Sequence, residues 1–272
     1  MPDISCIIVS FNNSPYLIKA ITSVLEQTLP VNEIIVADDG STDDSRELIK
    51  SLAIQHNNIK PIFRENNLGA GQNRDLAIRS AKSEIITALD GDDWYYPNKI
   101  EKEYSALNKN NAVAFSDISL MLNDHEQLGF WDMRKFPGSE TYKRLKWVAL
   151  RTPPIPTHMM LSKKLYIESG GMKHNINLYE DWDFKIRLSG LPYMWVHSGV
   201  TGMAYRQTES GLSSAHYLKH LSTQIGVIKT NKNLLIKHFG KTGYLNIVSA
   251  TLFRGIRRAP RRILNKILKS SN

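Results

Sequence analysis

The chain has 272 residues, 42% hydrophobic and 22% charged, which excludes a disordered or low-complexity protein and allows one large domain with a helical appendage. Its single cysteine, Cys6, lies in an apolar run, so an internal disulfide is excluded and a small core residue is expected. The net charge of +9 is concentrated: residues 211–272 hold twelve Lys or Arg and no Asp or Glu, so a mildly acidic domain precedes a basic tail that suits a polyanionic partner. No cationic stretch precedes the first short apolar segment, and no apolar run approaches the ~20 residues of a membrane span. A cytoplasmic location, without signal peptide or spanning helix, is the expectation.

Residues 4–9, 33–37, 59–63 and 84–89 are apolar or β-branched runs that predict strands buried on both faces. Ser14-Pro15 predicts an N-cap followed by Pro at the first helical position, and Leu17, Ile18, Ile21, Val24 and Leu25 repeat at helical spacing. Asp43 or Asp44 can cap a second helix through Leu48 and Leu52, and residues 70–81 predict a third. The resulting βαβαβαβ order predicts an α/β fold with a mostly parallel sheet and helices on both faces. Ligands bind such sheets at the strands' carboxyl ends. Then come a helix near 97–108, a strand near 112–118, loops over the site across 124–157 and a strand near 158–162. Helices near 163–169 and 181–189 and strands near 193–205 complete a domain over 1–210, whose halves meet near residue 120, before a helical tail over 211–272.

Two acidic clusters fall where this architecture puts ligands: Asp38-Asp39-Gly40-Ser41 after the second strand and Asp90-Gly91-Asp92-Asp93 after the fourth. Carboxylates this close repel one another unless a cation or hydrogen-bond donors compensate. Mg²⁺ and Mn²⁺ prefer oxygen ligands and commonly take one or two carboxylates plus substrate phosphates, so a metal-bound diphosphate is the expected ligand. The first cluster also reads as a turn with a helix cap. The second partly matches a calcium loop, through Asp90, Asp92 and Glu101, but Trp94 and Tyr95 stand where an oxygen ligand and a glycine are needed. Gly69-Ala70-Gly71 opens a glycine-rich turn, yet Arg74 takes the third glycine's place and the turn follows the third strand, which disfavours a dinucleotide site.

Ser10-Phe11-Asn12-Asn13, the Asp38 cluster, Asn67-Leu68-Gly69 with Asn73-Arg74, the Asp90 cluster, Gly170-Gly171 and Glu180-Asp181-Trp182 occur in an order and spacing that resemble the family 2 glycosyltransferases of the GT-A fold, over residues 4–206. The resemblance implies a Rossmann-like sheet, a divalent Mn²⁺ or Mg²⁺ cofactor, and inverting, non-processive transfer from a nucleotide sugar, usually a UDP-sugar. The implied acceptor is a saccharide or lipid-linked saccharide in cell-envelope polysaccharide biosynthesis. It places the donor against Ser10, Phe11, Asn12, Asp38, Asp39, Asp90 and Gly91, with Asp39 on the base and Arg74 near the diphosphate. Asp90 and Asp92 would serve ribose and metal, with Asp93 sharing the coordination. Asp181 would be the general base on the acceptor hydroxyl and Glu180 its support.

The plain alternatives are a surface helix arginine for Arg74 and helix capping for the acid pair. Trp182, Trp131 and His158 are weaker acceptor-side candidates. Tyr205-Arg206-Gln207 stands where relatives carry Tyr-Arg, a spacer and His near the metal, and His158 and His216 are candidate substitutes. No Gln-X-X-Arg-Trp element of processive synthases occurs. A nucleotidyltransferase would place a Gly-rich phosphate loop where Ser10-Phe11-Asn12-Asn13 stands. A non-catalytic module docking through its tail is the reading from a different class.

Over 252–269, Leu252, Phe253, Ile256, Ile263, Leu264, Ile267 and Leu268 fall on one side of a helical projection. Arg254, Arg257, Arg258, Arg261, Arg262, Lys266 and Lys269 fall on the other, with Pro260 kinking or dividing the helix. This pattern predicts an interfacial helix on an anionic membrane, each cation contributing about 1 kcal/mol. The alternative is a helix packed on the domain with a solvated basic face. Without aromatic interleaving or a nucleic-acid module, no nucleic-acid partner is expected.

Overall fold

The computed structural model describes residues 3–107, 112–155, 157–207 and 217–258. Strands β1 (Ile4–Ser10) and β2 (Glu33–Asp38) bury every residue, as their apolar runs require, and Cys6 is a core residue with no exposed surface. With β3 (Ile59–Phe63) and β4 (Ile85–Asp90) they form a parallel sheet in the order β3-β2-β1-β4. Pro61 has no N–H to donate and sits in β3, at the sheet's edge.

Between the strands run α1 (Ser14–Leu25), α2 (Ser45–Gln55) and α3 (Ala70–Ser80). The N-cap of α1 is Asn13 rather than Ser14. The reason is Asp43, whose carboxylate accepts from Ser14 N–H at 2.9 Å and from Ser45 N–H at 3.1 Å, so one side chain satisfies the first turns of both α1 and α2.

Beyond β4 come β5 (Trp94–Tyr95), α4 (Lys99–Leu107), β6 (Val113–Met121), β7 (Gln127–Trp131) and α5 (Thr141–Ala149). They are followed by β8 (Leu161–Ser162), α6 (Lys163–Glu168), α7 (Glu180–Ser189) and β9 (Trp195–Arg206). β8 adds antiparallel to β4, while a second sheet has the order β5-β9-β6-β7, with β6 and β9 parallel. An antiparallel bridge between Ala114 and Met160 joins this sheet to the segment entering β8. The structure departs from two expectations. The stretch 124–157 is not all loop, since it holds β7 and α5, and β9 is one long strand where several were expected. α5 escapes a periodicity search because its inward face carries Arg144, fully buried, whose guanidinium donates to the carbonyls of Leu191 (2.8 Å) and Ser189 (3.2 Å).

The C-terminal helices α8 (Tyr217–Thr230) and α9 (Lys232–Arg258) pack on the domain through Val227, Ile228, Leu235 and Ile247. α9 is broken at Gly240 (φ 69°, ψ 176°), a conformation that a Cβ would disfavour. Of the expected amphipathic stretch, Leu252 and Phe253 are exposed. Arg254 departs from the expected basic face: its guanidinium turns inward to the Leu150 carbonyl. Arg257 and Arg258 close α9, while Pro260, Arg261, Arg262 and the residues after them, like His216, lie outside the described residues. No helix among the described residues is long and apolar enough to cross a membrane.

Hydrogen bonds to its ionised form hold the Asp43 carboxyl at about 2, against an ordinary 3.8, although burial alone would raise it. A folded-state value below the unfolded one stabilises above pH 3.8 and is lost as pH falls through about 2. Asp43→Ala is expected to destabilise by about 1 kcal/mol at neutral pH. In chemical denaturation the gap between variant and wild type should shrink across that acid window.

Candidate functional site

Strand register assembles the site. β1 lies between β2 and β4, with Ser10 opposite Asp38 and Val9 opposite Asp90, so both acidic clusters emerge at one carboxyl edge. Asp38 itself points inward with no exposed surface; its Oδ1 accepts from Arg46 Nε at 2.9 Å and from Ser41 N–H at 3.1 Å. Asp39 accepts from the amides of Leu68 (3.0 Å) and Gly69 (2.9 Å), which draws the Asn67-Leu68-Gly69 turn to the same edge. Asn12, at φ 53°, donates its N–H to Ser41 Oγ at 2.8 Å and accepts from Thr42 N–H at 2.9 Å. Phe11 beside it is exposed, and the buried Ser10 Oγ has no hydrogen-bond partner among the described residues.

The second cluster is braced by Arg206, the last residue of β9. Its N–H donates to Asp93 Oδ1 (2.8 Å), its Nε to the Asp92 carbonyl (3.0 Å), and its remaining arm pairs with Asp124. Gln207 donates its N–H to Met121 O at 2.8 Å. The imidazole at the cluster comes from His158, whose Nδ1 lies 3.0 Å from the Ala88 carbonyl. A carbonyl only accepts, so Nδ1 carries the hydrogen and the Nε2 lone pair faces Asp90 Oδ2 at 3.6 Å and Asp93 Oδ2 at 3.7 Å.

Burial pulls His158 down to about 4, against the opposing pull of Asp90, so the ring is neutral at neutral pH. Burial and then Asp90 push Asp92 up to about 6, and the same causes together with Asp92 push Asp93 well above the usual carboxylate range. The buried Asp93 Oδ2 has no hydrogen-bond partner among the described residues. One ligand atom each from Asp90, Asp93 and His158 lie within 4.8 Å of one another. An imidazole lone pair and two carboxylates facing one point repel unless a cation joins them, and this set of one nitrogen and two oxygen donors fits a divalent cation. Asp92, expected beside Asp90 as a ligand, is not among the three.

Arg74 connects this cluster to the acid pair. Burial alone would lower its pKa, but Asp90, with which it pairs, and Glu180 and Asp181 hold it above the ordinary value. Its guanidinium is therefore enclosed between carboxylates, not displayed on a helix surface. α3 and α7 touch at Gly71, where any Cβ would collide with Glu180 Cγ. On α7, Lys185 Nζ lies 2.9 Å from Asp181 Oδ2; burial would raise the Asp181 pKa, but Lys185 prevails and holds it below the usual range. The Asp181 side chain keeps 44% of its surface open. Glu180 moves the other way, raised by burial and by Asp181, so adjacent acids have opposite shifts.

Trp182, expected on the acceptor side, is a core residue with 3% exposure whose indole donates to Val148 O at 2.7 Å, tying α7 to α5. Trp131 stacks on Tyr205 with ring centroids 5.9 Å apart. Burial and then Asp93, Asp90 and Asp92 push the Tyr205 phenol up to about 12, which locates that ring against the acidic cluster. Two contributors went unnoticed in the sequence. Lys185 was within reach, because its four-residue spacing from Asp181 is a standard helical ion-pair signal. Asp75 was not: fully buried, it accepts from Tyr166 Oη (2.7 Å) and Met172 N–H (3.1 Å) and lies 2.9 Å from His174 Nε2, partners 91 to 99 residues away. These bonds tie the segment leading into α7 onto α3.

The two-sheet architecture is the GT-A fold. The crystal structure of S. aureus TarS 1–349 is similar with a TM-score of 0.72 at 15% identity, covering 94% of this chain and 72% of that one. The same protein in complex with UDP-GlcNAc gives 0.73 at 16% identity, covering 94% and 73%. The chain belongs to glycosyl transferase family 2, whose model matches residues 5–170. Glycosyltransferase GlyG of Streptococcus pneumoniae is 37% identical over 109 residues, 40% of this chain and 36% of that protein. A Bacillus subtilis glycosyltransferase provisionally assigned to teichuronic acid biosynthesis, TuaG, is 32% identical over 124 residues, 45% and 49% of the two chains. The chain thus spans half or less of the length of these curated relatives.

Gly71→Ala is expected to destabilise by about 1–3 kcal/mol through overpacking against Glu180. Glu180→Ala removes the Cγ in question, so the double variant should recover most of that loss in thermal melts; strictly additive losses would separate α3 from α7.

Proposed function

We propose that the chain is a metal-dependent, inverting glycosyltransferase that moves one sugar from a nucleoside diphosphate sugar, a UDP-sugar, to a saccharide or lipid-linked saccharide of the cell envelope. The observation that carries this reading is the enclosure of Arg74 by Asp90 on one side and Glu180-Asp181 on the other, which sets a cation-competent group beside an ionised, half-open carboxylate. A UDP-GlcNAc complex of a protein with this fold and the teichuronic acid assignment of one relative support the donor and acceptor classes.

On this reading Asp90, Asp93 and His158 would hold the divalent cation, which would supply positive charge to the departing diphosphate. Asp39, its carboxylate fixed by the Leu68 and Gly69 amides, presents its remaining lone pairs to the nucleotide base. Asp181, kept ionised by Lys185, accepts the proton of the acceptor hydroxyl as that oxygen bonds to the anomeric carbon. The bond from the same carbon to the diphosphate oxygen breaks on the opposite face, its electron pair leaves with the nucleoside diphosphate, and configuration inverts. The open side of Asp181 lets the proton pass to solvent. Trp131, stacked on Tyr205 beside the cluster, offers a flat apolar face to the acceptor sugar.

The C-terminal region supports a second part of the proposal, docking on an anionic membrane surface. It contains no acidic residue, and Leu245, Leu252 and Phe253 project from one side of α9 ahead of Arg257, Arg258, Arg261 and Arg262.

Calorimetry with UDP and Mn²⁺ tests the site. Wild type should give metal-dependent binding, and His158→Ala should weaken it by at least about tenfold. Asp181→Asn should bind as wild type while transfer falls by about a hundred- to ten-thousandfold. Wild-type turnover in that variant would remove Asp181 from the base role. For docking, changing Arg257, Arg258, Arg261 and Arg262 together to Glu should abolish co-sedimentation with phosphatidylglycerol vesicles; unchanged sedimentation would defeat that part.

A further inference from the structure

We propose that α8 belongs to the catalytic apparatus: His220 and Gln224 hold the Tyr179 hydroxyl and thereby fix the orientation of Glu180-Asp181. The inference rests on the reading of Asp181 as the base. Tyr179 is the N-cap of α7, immediately before the acid pair, and makes no side-chain capping bond. Its backbone is left-handed (φ 67°, ψ 24°), a conformation a non-glycine residue holds only where its surroundings enforce it. Those surroundings come largely from α8.

Gln224 Nε2, which can only donate, lies 2.7 Å from the Tyr179 oxygen, and His220 Nδ1 lies 2.9 Å from it. All three groups are satisfied when the hydroxyl accepts from Gln224 and donates to a neutral His220. The phenol ring is fixed from the remaining sides by the Arg151 guanidinium, 4.6 Å from its centroid, and edge-on by the buried Trp182 at 6.1 Å.

A second contact brackets the pair from its other end. Asn231, in the junction between α8 and α9, donates Nδ2 to Asp183 Oδ1 at 2.7 Å. Asp183 is fully buried, and its other oxygen pairs with Arg187. The residue before Glu180 and the second residue after Asp181 are thus both tied to the C-terminal helices. The domain proper supplies Lys185 to set the charge of Asp181; α8 sets where its carboxylate points. Tyr179, His220 and Gln224 are positioning residues, since they act through the start of α7 and not on the substrates.

The test uses the full chain and follows UDP release from whichever UDP-sugar of a panel wild type turns over fastest. Tyr179→Phe deletes the hydroxyl and keeps the ring, and is expected to lower kcat by about tenfold with KM for the donor and calorimetric affinity for UDP with Mn²⁺ unchanged. His220→Ala/Gln224→Ala should give a loss of the same size, and combining all three substitutions should add nothing, because they remove one interaction. Wild-type kcat in Tyr179→Phe beside an inactive Asp181→Asn overturns this proposal alone. Full turnover in Asp181→Asn overturns the reading beneath it. A kcat loss that comes with matching losses of UDP affinity and melting temperature assigns α8 a structural role only and also overturns the proposal.

Discussion

Carboxylates cannot be gathered at one edge of a sheet without positive charge to hold them there, and this chain supplies that charge from several helices and from the end of β9. Asp38 is met by Arg46, Asp90 by Arg74 and Asp181 by Lys185, while Arg206 braces the backbone around Asp92 and Asp93. The compensation is uneven. Asp38 is sealed inside against Arg46, Asp181 is paired yet half open, and Asp93 is buried beside two further carboxylates, Asp90 and Asp92, that with burial push its pKa up. This inequality distinguishes structural carboxylates from those left able to take up a cation or a proton.

The same uneven balance explains the opposed titration behaviour within so small a volume. Burial acts on every group and always disfavours the charged form, so the outcome at each position depends on whether an opposite charge is close enough to win. Lys185 wins at Asp181; nothing comparable does at Glu180, Asp92 or Asp93. His158, whose pKa the same burial pulls down, keeps its lone pair directed at Asp90, which Arg74 holds ionised against burial, and at Asp93, which burial and Asp90 make reluctant to ionise. A divalent ion between Asp90, Asp93 and His158 would offset the penalties at Asp93 and His158 together.

What the sequence made legible follows the range of the forces involved. Strands β1 and β2 were readable because burial on both faces leaves an unbroken apolar run, and the helices between the strands because their inward faces repeat at helical spacing; β3, expected to be buried on both faces, is instead an edge strand with Lys60 and Pro61 exposed. α5 was hidden because Arg144 sits where an apolar residue was sought, and β5 because two residues make no pattern. The acid clusters were found as short motifs, but their compensation was not. Nothing local predicts that Arg74 would close on Asp90, that Trp182 would turn into the core, or that Asp43 would serve two helices at once. Contacts such as Asp75 with His174, 99 residues apart, exist only once the chain has folded.

The dependence of α7 on the C-terminal helices bears on how the two ends of the molecule can be manipulated. Cutting the chain ahead of Tyr217 would strip Tyr179 and Asp183 of partners along with removing the cations, so silence from such a shortened protein says nothing about where the enzyme resides. A fusion partner appended after α9 leaves Gln224 and Asn231 in place. That arrangement allows location to be changed while the contacts to α7 are kept.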